Sequence, residues 1–229
     1  MAARRDDDLD EVGSGPLSRG AAVVLWVLVV SGLVVLTGGL PLALVPFLGG
    51  DAANVWIAAL LFVPLGPALA AAMFAWRRFL GQRDLQPGGH FWRGYRLNAV
   101  DVLRWWVPML VVLAVLGFSF AHLDVAGVPS GYGVVLVVMG VAVLLWAVVA
   151  LALSSHLSLR TRDVARLSAY YLAAKPLVTL GVLSLLVLGV GIVAFTSDWV
   201  LVAVAGLLAL AATTTTEPVV RDATARFTA

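Results

Sequence analysis

The side chains best able to do chemistry in this chain are few, and they lie outside its apolar runs. His90, Asp101 and His156 are the acid–base candidates that precede or follow such runs on what will emerge as the basic side. Groups of that kind move protons to and from a substrate when they are held within hydrogen-bond reach of it. A metal centre is disfavoured, because His90, His122 and His156 include no pair at the three- or four-residue spacing that puts two ligands on one helix face. The absence of cysteine removes disulfides, thiolate metal sites, iron–sulfur clusters and redox Cys pairs together. No P-loop, dinucleotide fingerprint, zinc-protease or nucleophile-elbow motif occurs. The expectation is a non-enzymatic protein with no cofactor. An enzyme acting on lipid or glycan through His90, His156 and Asp101 is the minor alternative.

The elements that must carry these residues are set by hydropathy. The chain is 62% hydrophobic and 12% charged, against about 45–50% and about 25% in ordinary soluble domains. Six apolar stretches, 21–39, 54–76, 105–122, 131–153, 177–196 and 199–216, each approach the ~20 residues that a helix needs to cross a ~30 Å hydrocarbon core. Helices satisfy their own backbone in lipid, and the period-two pattern of barrel strands is missing, so an all-α membrane protein is expected. Residues 1–20, with the acidic run Asp6, Asp7, Asp8, Asp10 and Glu11, read as a disordered acidic tail and not as a signal peptide. The six-helix domain is 21–216, and 217–229 is a short second tail.

All fifteen basic residues fall before the first stretch, between the second and third, between the fourth and fifth, or after the sixth. Six crossings put all four segments on one side, which the positive-inside rule makes the cytoplasm. The expected plan is three outward hairpins in the cell membrane, with both termini cytoplasmic. The pI near 9.4 then reflects anionic headgroups and not nucleic acid. Each outward connection holds one carboxylate, Asp51, Asp124 or Asp198, with Asp51 and Asp198 placed to cap the helices after them. Trp56 and Trp199 near the outer face, and Trp26, Trp76, Trp105 and Trp106 near the inner, read as interfacial anchors. The spans contain no internal Asp, Glu, Lys or Arg, which argues against ion-coupled transport. Passage of a small neutral solute stays open.

Two local features stand out. In a helical reading of 90–106, Phe91, Tyr95, Asn98, Ala99, Val102 and Trp106 share one face, and Arg93, Arg96 and Arg104 gather on the other. That describes an amphipathic helix lying at the headgroups, available to lipid or to a partner. The segment Arg96-Leu97-Asn98-Ala99 is echoed by Arg166-Leu167-Ser168-Ala169, each ahead of an outward span. Within the second stretch, Pro64-Leu65-Gly66-Pro67 removes two backbone donors and must kink the helix, lining a path or serving packing. Gly38, Gly39, Pro41 and Pro46 make the exit of the first helix irregular. Small residues are spread so evenly that no face is marked for self-association, and the oligomeric state is left open.

The stretch Pro64-Leu65-Gly66-Pro67-Ala68-Leu69-Ala70-Ala71 and the segment Phe91-Trp92-Arg93-Gly94-Tyr95-Arg96-Leu97-Asn98 resemble two motifs of the YesL-like family of bacterial integral membrane proteins, whose domain is of unknown function. The resemblance implies an accessory role in carbohydrate uptake beside ABC-transporter permease subunits, and it supplies no catalytic residues. By the motif match, Arg93, Arg96 and Asn98, together with Pro64, Gly66 and Pro67, are the positions to test. Tyr95 and Arg104 complete the expected lipid- or partner-contact set.

Overall fold

A computed structural model describes residues 16–49, 51, 53–82, 86–123, 127, 129, 131–157, 160–195, 200 and 204–227. Among them there are helices and turns but no strand. The α-helices are α1 (Pro16–Val34), α2 (Asn54–Leu61), α3 (Leu65–Gln82), α4 (Pro87–Ala121), α5 (Gly131–His156), α6 (Thr161–Ala174), α7 (Pro176–Phe195) and α8 (Ala205–Phe227). Among the described residues, five helical segments are long and apolar enough to cross a membrane: Gly20–Gly39, Asn54–Gly81, Pro87–Ala121, Gly131–His156 and Pro176–Phe195. The sixth expected span includes 199 and 201–203, which lie outside the described residues. Its described part belongs to α8, which continues past Thr216 through Glu217, Arg221, Asp222 and Arg226. Residues 217–227, read from sequence as a tail, thus extend that helix, with Val219, Val220 and Ala223 buried.

The irregular features follow the sequence. After α1 the chain widens into a π-helical turn over Val35–Gly39 and tightens into a 3-10 helix over Pro41–Phe47. The Pro-Leu-Gly-Pro segment separates α2 from α3 by a turn at 62–64. At that turn the Phe62 carbonyl accepts two hydrogen bonds, from the Leu65 amide at 3.2 Å and from the Trp106 indole at 3.0 Å. Gly66 lets the same ring close against α3, since a Cβ there would lie 2.6 Å from Trp106 Cγ. The kink is therefore a packing seat for Trp106.

Three expectations are corrected. The amphipathic segment at 90–106 is not a separate surface helix: it is the first half of α4, which runs 35 residues, about 52 Å at 1.5 Å per residue. No proline or glycine intervenes between Gly94 and Pro108, so nothing stops the helix where the hydropathy changes. The inner-side tryptophans are not lipid-facing anchors, for Trp26 and Trp76 are 0% exposed and Trp105 and Trp106 are also buried. Trp26 stacks among Trp76, Phe79 and His90, and Trp105 donates to Ser154 Oγ at 3.1 Å. Trp56 is exposed, as an outer anchor would be, while Trp199 is outside the described residues. Asp51 does not cap α2 through its side chain: Ala53 occupies the N-cap, and Asn54 Nδ2 reaches back to the carbonyls of Leu48 and Gly49. Asp124 and Asp198 lie outside the described residues.

The second amphipathic segment is a separate element. α6 buries Val164, Ser168 and Tyr171 and leaves Arg162, Arg166 and Tyr170 exposed. It is fixed to α8 by Tyr171, whose hydroxyl donates to Asp222 Oδ2 at 2.9 Å, while Asp222 also pairs with Arg226 at 3.1 Å. Lys175 donates to the Pro218 carbonyl at 2.7 Å. Burial, reinforced by the hydrogen bond to Asp222, pushes the Tyr171 hydroxyl up to about 12 from its usual 10.0. A raised value means that the folded state holds this proton more tightly than the unfolded chain, so its stabilisation is complete below about pH 10 and fades towards pH 12. Thermal unfolding in detergent is expected to show a midpoint falling across that window, and Tyr171→Phe is expected to flatten the fall. An unchanged pH profile in the variant would rule this linkage out.

Candidate functional site

The C-terminal half of α3, the first half of α4, the end of α5, α6 and the end of α8 meet at one end of the bundle. This is the end at which Arg77, Arg78, Arg93, Arg96 and Arg104 gather. Gly94 is what brings α3 and α4 close: a Cβ there would stand 2.8 to 2.9 Å from the Phe74 side chain, which packs on the bare backbone. Trp105 fastens α4 to Ser154 of α5, and Trp146 fastens α5 to α6 through the Ala165 carbonyl at 3.1 Å. These clamps leave two adjoining cavities, of about 250 and 450 Å³, that share Phe74, His156 and Leu157 as walls.

The lining is rich in donors. Asn98 and Asp101 reach the first cavity from α4, with Ser154, Ser155 and His156 from α5. Arg77 and Arg78 line the second from α3. Arg78 is positioned by the Phe74 ring, its guanidinium carbon 5.4 Å from the ring centroid. Asp101, the carboxylate among the lining residues, pairs with Arg104 at 2.8 Å. The hydroxyls of Ser155 and Thr224 donate to their own helices, to the carbonyls of Ala152 and Val220. Two buried donors, Arg77 Nη1 and Asn98 Nδ2, have no hydrogen-bond partner among the described residues.

Of the three acid–base candidates, the structure brings Asp101 and His156 onto one cavity and sends His90 away, to the stack on Trp26. Among the described residues no group of three or more His, Asp or Glu could hold a metal ion. The expected contact set divides in the same way. Asn98 enters the cavity, Arg93 and Arg96 point outwards and are exposed, Arg104 is held by Asp101, and half-buried Tyr95 packs on Phe91. Pro64, Gly66 and Pro67 belong to the Trp106 seat.

Arg77, Arg78, Ser154 and Ser155 were legible in sequence only as topology-setting charges and span-end residues. Their signal was positional: Arg-Arg ends one apolar run, and Ser-Ser-His ends another that finishes on the same side.

Compared with protein-family models, curated proteins and solved structures, the chain matches none significantly. The YesL-like resemblance therefore rests on segments 64–71 and 91–98. In the structure these supply the Trp106 seat, the Gly94 approach and the Asn98 donor.

Proposed function

We propose that this is a six-span protein of the cell membrane with both termini in the cytoplasm. On this reading it is a non-enzymatic accessory to carbohydrate uptake that contacts an ABC-transporter permease, or a related membrane complex, through the first half of α4. Topology is supported by the restriction of all fifteen basic residues to alternate connections and termini. The apolar first half of α8, 205–216, is the described part of the sixth crossing that this topology requires.

The observation that carries the partner reading is the face of α4 left uncovered at the basic end. Phe91, Gly94 and Val102 are buried, so this half of the helix is held firmly. Trp92, Arg93, Arg96, Leu97 and Val100 are exposed beside one another along it. Rigidly mounted Trp and Arg are the residues that dominate protein interfaces, because a ring fills a pocket and a guanidinium pairs with carboxylates in a two-pronged fashion. The fitting partner surface is acidic, with apolar recesses.

The test is to crosslink the tagged protein in its own cells, extract it in mild detergent, and identify what accompanies it. Sugar-permease subunits are expected with the wild type, and recovery at least about tenfold lower with Arg93→Ala/Arg96→Ala, as loss of two charge-assisted contacts implies. Recovery of the wild-type protein alone would overturn the reading.

A further inference from the structure

We propose that the paired cavities at the basic end bind a phosphate group, carried by an anionic lipid headgroup or by a soluble phosphate. The argument starts from the unpaired donors. A buried N–H without an acceptor is costly, and more so on a cationic group. Among the described residues Arg77 Nη1 and Asn98 Nδ2 are two such donors, Asn98 lining the first cavity and Arg77 the second, and the two cavities share Phe74, His156 and Leu157 as walls. What would satisfy both is a ligand made of acceptors.

Charge selects an anion. Arg77 and Arg78 line the second cavity, while Asp101, the carboxylate lining the first, is already paired with Arg104. Phosphate offers several acceptor oxygens in tetrahedral array, which suits donors arriving from α3 and α4 at different angles, and guanidinium is the preferred partner of such groups. The cavities, about 250 and 450 Å³, are of the order of ordinary small-ligand sites.

Depth points the same way. Arg77 and Arg78 directly follow the apolar run 54–76, Asn98 lies two turns before the apolar part of α4, and Ser154–His156 ends α5. The site thus sits where hydrocarbon gives way to headgroups, the level at which basic pockets between spans receive lipid phosphates. This proposal does not depend on the partner reading, which concerns the outward face of α4.

The experiment uses full-length protein, delipidated in a neutral detergent. One arm titrates inorganic phosphate and follows binding calorimetrically. The other adds phosphatidylglycerol or phosphatidylcholine and counts retained lipids by native mass spectrometry. Saturable 1:1 binding of phosphate, or selective retention of one phosphatidylglycerol, is expected, and the arm that responds identifies the source. Arg77→Gln and Asn98→Leu are each expected to weaken binding about tenfold or more, as loss of a hydrogen bond to a charged group does. Arg77→Lys should retain part of the affinity, and Arg93→Gln/Arg96→Gln should leave it unchanged. Because Asn98→Leu removes a donor without leaving a charge, it tests the site even if Arg77→Gln fails to fold. No saturable binding in either arm, or an equal loss from the outward-face variant, would overturn the proposal.

Discussion

Trp106→Ala is expected to cost about 3–5 kcal/mol of stability, the range for removing a large buried aromatic, read as the shift in unfolding midpoint on titration with a denaturing detergent. The loss has two parts. Truncation empties the space between α2, α3 and α4, and it strips the Phe62 carbonyl of the indole that binds it at 3.0 Å. That carbonyl keeps the Leu65 amide at 3.2 Å, so the variant loses its second hydrogen bond, which contributes about 0.5–1.5 kcal/mol. Gly66→Ala approaches the same seat from the other side: its new methyl would sit 2.6 Å from the ring. Overpacking of that kind costs about 1–3 kcal/mol. The decisive measurement is the double variant. Once Trp106 is an alanine, the methyl at position 66 has room, so the two losses are expected to fall short of their sum. Strict additivity would show that the glycine serves backbone geometry alone and that the seat has been misread.

This seat shows what the sequence could and could not tell. The break itself was legible, because proline lacks a donor wherever it stands and two prolines flank a glycine there. Its partner was not, since Trp106 lies about forty residues on and its type suggested an interfacial anchor. Whether a tryptophan at a span end faces lipid or core depends on which helices lie beside it. For Trp26 and Trp76 those neighbours come from α1, α3 and the start of α4. The division of 90–122 into a surface helix and a span followed hydropathy, but α4 runs through that boundary without a cap and carries Pro108 inside it just beyond. The cavity was the least legible feature. Asn98 appeared in a motif and His156 among the acid–base candidates, yet nothing local joined them to Arg77, because their meeting depends on Gly94 and on the Trp105–Ser154 clamp.

The other large effect is expected at Gly206. The first amides of a helix have no partner within it, and α8 solves this near its start by borrowing from another helix: Gly206 N–H donates to Ser31 Oγ of α1 at 2.9 Å. Such an approach needs bare backbone. A Cβ at 206 would stand 2.6 Å from Ser31 Oγ, 2.8 Å from the Val27 carbonyl and 2.9 Å from the Ser31 nitrogen. Two of these are backbone atoms of a helix and cannot swing aside, so Gly206→Ala must push α8 from α1. A cost towards the upper end of the ~1–3 kcal/mol range for overpacking is expected, with Gly206→Val worse. Ser31→Ala separates the hydrogen bond from the steric fit. It leaves the amide unpaired but the helices free to stay close, and should cost about 1–3 kcal/mol. In Ser31→Ala the added methyl at 206 still meets Val27 and the Ser31 backbone, so Gly206→Ala should remain destabilising in that background. If it became neutral there, the hydroxyl alone would account for the fit, and the close approach of the two backbones would lose its support.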